Sequence, residues 1–149
     1  MSKSKKVAIA SDHAGFELKE ILKDFLKDHC EVLDLGTDST KPVDYPDFAK
    51  KLAEAVVAGE AQRGILICGS GIGASVAANK IAGARAGLCH DSYSARQGVE
   101  HDHMNILALG SRVIGVELAK ELVSVYLAAV ESEEPRHLRR IQKIMALEK

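Results

Sequence analysis

Residues 64–75 read GILICGSGIGAS: an unbroken apolar run that stops at Cys68, then three glycines in five positions, then small residues. A short run of branched residues closed by glycine reads as a buried strand, and the alanine-rich spacing over 74–81 reads as a helix. Strand, glycine turn and helix make half of a βαβ unit, and the same alternation recurs on both sides. Toward the amino end, 7–11 is a second short strand. Leu18, Ile21, Leu22, Phe25 and Leu26 then fall at steps of three and four, with Glu17, Lys19, Glu20, Lys23 and Lys27 mostly on the opposite side. Residues 31–35 read as a strand ended by Gly36, residues 37–46 as a polar loop, and Phe48, Leu52, Ala55 and Val56 as the inner face of a helix. Beyond the glycines come a strand over 84–89, a polar helix from Ser92 to about Glu100 and a fifth strand over 105–109. Leu118, Ala119, Leu122, Val123, Tyr126 and Val130 make a helical stripe, and after Pro135 a last helix covers about 136–147. The pattern predicts an α/β fold: one doubly wound, Rossmann-like five-stranded parallel sheet with helices on both faces, forming a single domain over 1–149.

Length and composition agree with one core. At 149 residues the chain buries roughly two-thirds of its unfolded surface. No apolar run approaches the ~20 residues of a membrane span. Twenty Lys plus Arg against 21 Asp plus Glu leave a formal charge of -1, and 4% aromatic residues offer few stacking platforms, so nucleic acid is not an expected partner. Cys30, Cys68 and Cys89 form an odd set without CxxC spacing, which points to reduced thiols rather than disulfides or a zinc ribbon. The basic start MSKSKK leads into only four apolar residues, too few for a signal peptide, so a cytoplasmic protein is expected.

In doubly wound folds ligands sit beyond the carboxyl ends of strands. That rule selects Ser11, Asp12 and His13, then residues 68–73, then His90 and Asp91, then Gly110, Ser111 and Arg112. The glycines at 69, 71 and 73 let backbone amides of Gly69, Ser70, Gly71, Ile72 and Gly73 turn toward one point, where an anion or developing oxyanion would be stabilised. Alternatively they serve only a tight turn, or Gly69, Gly71 and Ala74 with Asp91 about 20 residues on form a dinucleotide fingerprint. Cys68 ends its strand where a helix terminus would favour a thiolate, either nucleophile or base, whereas Cys30 and Cys89 read as small core residues. Asp12 is a strand-end candidate for the site or simply a helix cap. His101, Asp102 and His103 are adjacent, so convergence on one metal ion is not expected; one histidine as a general acid or base is, with a solvated loop as the alternative. Arg136 and Arg140 stack on one helix face with His137 beside them, a local positive density suited to a phosphate monoester or to a solvated tail.

Taken together, SDHAG at 11–15, DYP at 44–46, GILICGSGIGAS at 64–75, AANK at 77–80 and NILALGSRVIG at 105–115 resemble the family of sugar-phosphate isomerases that includes ribose-5-phosphate isomerase B and galactose-6-phosphate isomerase. The likeness runs over nearly the whole chain with the motifs in order. Some family members carry a cysteine base before the glycine loop and others a glutamate within it; Cys68, with Ala74 at the glutamate position, is similar to the cysteine kind. The resemblance implies an aldose–ketose isomerase that interconverts ribose 5-phosphate and ribulose 5-phosphate through a cis-enediolate, with no metal or other cofactor. It implies that Cys68 moves the proton between C1 and C2 and that the loop 69–73 stabilises the enediolate, with Ser70 on the reacting oxygens. His101 would open the furanose ring, helped by Asp12 on the hydroxyls. His13, Arg136 and Arg140 would hold the phosphate, with His137 a weaker candidate, and Tyr45 and Arg112 also fall on pocket positions. Asp102 stands at a sugar-contact position, where it replaces an expected asparagine. His101 favours a pentose substrate over galactose 6-phosphate, while allose 6-phosphate stays open as a six-carbon alternative. A homodimer with shared active sites, or a dimer of such dimers, is the implied assembly. A nucleotide-binding Rossmann module and a non-catalytic sugar-phosphate sensor are the alternatives.

Overall fold

The computed structural model describes residues 5–148; the first four residues of the basic start lie outside them. Its strands are β1 (Lys6–Ser11), β2 (Glu31–Asp34), β3 (Arg63–Cys68), β4 (Ala86–Leu88) and β5 (Ile106–Gly110). They pair in parallel in the order β2-β1-β3-β5-β4. The helices are α1 (Phe16–Leu26), α2 (Tyr45–Val57), α3 (Ile72–Ala78), α4 (Ser92–Asp102), α5 (Val116–Ala128) and α6 (Pro135–Met145). Successive strand residues point to opposite faces, which sorts the core into two layers. Val7, Ile9, Ile65, Ile67, Leu107 and Leu109 pack with α1, α4 and α5. Ala8, Ala10, Leu66, Cys68 and Ile106 pack with α2 and α3. The expected doubly wound sheet with helices on both faces is therefore present.

The chain leaves β1 through α1 toward β2, and leaves β3 through α3 in the other direction toward β4. A crevice opens between the carboxyl ends of β1 and β3 for that reason. It carries Ser11–His13 on one side and the glycine loop on the other.

Several local expectations are corrected. Lys19 does not sit on the solvent side of α1: it is 0% exposed, with Nζ on both carboxylate oxygens of Asp34 at 2.8 and 2.9 Å and on Glu20 at 2.8 Å. A buried ammonium persists only when paired in this way. Asp34 Oδ1 also accepts the Gly36 amide at 2.9 Å, so the pair fixes the end of β2. Ile21 and Val130, expected inside, are exposed. Tyr45 and Pro46 open α2 rather than ending the loop, because proline suits the first helical turn. Helix α3 begins at Ile72, two residues early, since Gly71 at φ +82° finishes the turn. Strand β4 shrinks to three residues. His101 and Asp102 lie in the last turn of α4, and His103 caps it in the left-handed region, so none is on the solvated loop offered as their alternative.

Candidate active site

At the crevice, Cys68 is the last residue of β3, and its side chain lies on the α2/α3 face, 5% exposed. The Gly71 amide donates to its Sγ at 3.1 Å, and the Ile72 amide donates to Ser70 Oγ at 3.2 Å. Two of the five loop amides therefore turn inward, one holding the sulfur, rather than all converging on a ligand. The loop rests on the end of β5: the Ser111 amide donates to the Cys68 carbonyl at 2.9 Å and the Arg112 amide to that of Gly69 at 3.0 Å. The Arg112 guanidinium lies against Gly69; a Cβ there would be 3.5 Å from Nη1. The Tyr45 ring lies over Gly73, where a Cβ would come within 2.6 Å of it, so Gly73 admits the ring.

Opposite the loop, Asp12 is buried and accepts the Gly15 amide on Oδ1 at 3.1 Å. That bond belongs to the turn into α1, so Asp12 closes the turn on one carboxylate oxygen. His13 accepts the Val43 amide on Nδ1 at 3.1 Å, which places the proton of the neutral ring on Nε2. The structure thus brings together Asp12, His13, Tyr45, residues 68–73 and Arg112.

His101, Asp102, Arg136, His137 and Arg140 form a separate group. Helix α4 starts just beyond the carboxyl end of β4 and runs back, so its last turn reaches the amino edge of the sheet, on the face away from Cys68. There the His101 ring stacks on that of His137, centroids 4.1 Å apart and planes 22° apart. His101 Nδ1 meets Gln97 Nε2 at 2.9 Å. His137 is 5% exposed and uses both nitrogens, Nδ1 with Ser132 Oγ at 2.7 Å and Nε2 accepting from Arg136 Nε at 3.3 Å. Removal from water holds the His137 imidazole below its ordinary pKa, and the neighbouring His101 and Arg136 act in the same direction. Arg136 and Arg140 are exposed on α6, and Asp102 is exposed at the end of α4. His103 turns elsewhere, Nε2 meeting the Ser132 carbonyl at 2.8 Å.

The remaining thiols sit in the core as expected. Burial pushes the Cys89 thiol up to about 11, with Asp91 adding to the effect, and raises Cys30 as well. Asp91 caps α4 by accepting the Ser94 amide at 2.7 Å, which gives it a structural task in place of the ribose contact of the dinucleotide reading. A cleft of about 870 Å³ runs along β4, α4 and α6, past Arg85, Met104 and Ile144, but of the residues named above as site candidates only Asp102 borders it. Sequence reasoning overlooked Gln97 and Ser132, whose partners are set by α4 and α6 packing; polar residues beside histidines are too common to single out.

Fold and crevice define a small doubly wound α/β protein with a candidate ligand site at the β1/β3 switch point. The family model described as Ribose/Galactose Isomerase matches residues 7–144, and the chain belongs to that family. It is 48% identical over 145 residues to ribose-5-phosphate isomerase B of Escherichia coli, covering 97% of each chain. Among solved structures it is similar to ribose-5-phosphate isomerase B of Clostridium thermocellum, with 51% identity, a TM-score of 0.91, and 95% of this chain and 96% of that one covered. The enzyme of the same name from Mycoplasma genitalium, solved with bound ribulose-5-phosphate, is 40% identical with a TM-score of 0.89, covering 96% of this chain and 95% of that one. Among the described residues no helix is long and apolar enough to cross a membrane.

Proposed function

We infer that this chain is an aldose–ketose isomerase that interconverts D-ribose 5-phosphate and D-ribulose 5-phosphate. The observation that carries the reading is Cys68 Sγ, held by the Gly71 amide at the head of the glycine loop, in a crevice shared with Asp12 and His13. Proton transfer beside a carbonyl needs a base, a stabilised oxyanion and a fixed substrate. His101 opens the furanose ring, and Asp12 orients the hydroxyls. Cys68 then takes the proton from C2 of the aldose, leaving a cis-enediolate, and returns it to C1 while the hydroxyl proton moves from O2 to O1. Ser70, whose Oγ already accepts the Ile72 amide, has its hydroxyl hydrogen free for a sugar oxygen.

His13 donates from Nε2 to the phosphate, with Arg112, Arg136 and Arg140 supplying charge. Tyr45 and the amides of the loop 69–73 line the sugar. His137, with both nitrogens engaged, backs His101 rather than binding phosphate itself. The reading assigns every step to protein groups and calls on no metal or other cofactor.

The two groups of residues lie at opposite edges of one sheet, which supports a homodimer, alone or paired into a dimer of dimers, with each site built from both copies. Ile72 and Val76 on α3, Tyr93 on α4 and Val113 after β5 stand 56–62% exposed and offer apolar surface for the second copy. The three unpaired thiols support a cytoplasmic setting, and the chain works as one domain over 1–149. The pentose phosphate pathway is the corresponding place in metabolism.

Isomerisation of ribose 5-phosphate, measured with and without chelator beside allose 6-phosphate, tests the reading. Turnover unaffected by chelator and favouring the pentose is expected. Absent pentose turnover, or loss with chelator, would contradict it.

A further inference from the structure

Sequence position selected His90 as a candidate because it follows a strand end, yet the proposed reaction gives it no task. Its Nε2 accepts the Gly110 amide at 3.0 Å. The β4–β5 ladder ends at Leu88 and Ala108, so the Gly110 amide lies two residues beyond the last strand partner on that side, where a backbone donor needs another acceptor. Gly110 is also the platform of the glycine loop. A Cβ there would come 2.5 Å from the Ser70 carbonyl oxygen and 2.6 Å from its carbon, so the two backbones touch. Gly71 packs on the same ledge, 2.9 Å from the Leu109 carbonyl carbon by the same measure, and the Gly71 amide holds Cys68 Sγ. A continuous path runs from His90 through Gly110 and the Ser70–Gly71 backbone to the sulfur.

Resting on the reaction assigned above, we propose that His90 is a positioning residue for that reaction: by fixing the Gly110 amide it sets the height of the Ser70–Gly71 backbone against Cys68. It touches neither substrate nor sulfur. Its effect falls on the geometry in which the proton moves, while the phosphate is held by other groups.

His90→Leu keeps bulk and removes the acceptor, whereas His90→Gln can offer an oxygen to the same amide. In His90→Leu kcat should drop about tenfold, what one net hydrogen bond withdrawn from the reacting geometry amounts to, with KM within about twofold. His90→Gln should recover most of the loss. Deuterium uptake of the peptide spanning 68–73, followed without substrate, should quicken in His90→Leu and return toward the parent rate in His90→Gln. Unchanged uptake and kcat in a folded His90→Leu, a glutamine variant as impaired as leucine, or unfolding of both would overturn the proposal. A parent enzyme inert toward ribose 5-phosphate would instead overturn the reaction, and the loop's uptake would still decide His90.

Discussion

The proposed division of the site between two copies makes a quantitative demand on mixed dimers. Helix α4 carries His101 nine residues beyond Ser92, about 14 Å back along the sheet at 1.5 Å per residue, and on the face opposite Cys68. One chain therefore cannot bring both side chains to one sugar. Cys68→Ala and His101→Ala should each lower kcat at least ~100-fold, the lower end for a missing proton-transfer group. When the two variants are unfolded together in equal amounts and refolded, about half of the dimers should be mixed, each with one intact site and one doubly altered site. Activity should rise to about a quarter of the parent value, roughly 25-fold above either variant alone. The assay is ketose formation from ribose 5-phosphate on the refolded mixture, and the mixed dimer isolated through two different affinity tags should reach about half of the parent value. A verified mixed dimer no more active than its parents would refute the shared site.

Other consequences concern the scaffold beneath the site. Gly71→Ala forces a Cβ into the left-handed region, about 1–2 kcal/mol, and against the Leu109 backbone, about 1–3 kcal/mol more, so thermal unfolding should show Tm lower by roughly 10 °C. A shift under about 2 °C would contradict the close approach. Burial alone would raise the Asp34 carboxyl, but Lys19, Lys23 and the Gly36 amide together hold it below its ordinary value. A carboxyl lowered by folding stabilises the protein above its unfolded value near about 4, and that contribution is lost as pH falls through the folded value. Asp34→Asn should therefore flatten the fall in urea midpoint below about pH 4, and an undiminished fall would count against the pair.

Legibility from sequence varied with the kind of signal. The layering was plain because both faces of a parallel sheet are buried, which leaves short apolar runs such as 64–68 that nothing else explains. The glycine loop was plain for a related reason: Gly71 needs positive φ and Gly73 admits the Tyr45 ring. Lys19 was hidden because helical periodicity assigns charge to solvent, and its partner Asp34 lies on another element. His101 and His137 were both legible as candidates, but their stacking depends on how α6 docks against α4, which spacing within either helix does not encode. The distance of His101 and His137 from Cys68 follows from α4 running back along the sheet, a property of topology rather than of any motif.

Cys68 as the group that carries the proton is the central assignment, and the turnover of Cys68→Ala toward ribose 5-phosphate tests it most directly. A folded variant with kcat at least ~100-fold below the parent is the expected result. Turnover within about twofold of the parent would contradict it and remove the thiol from the reaction.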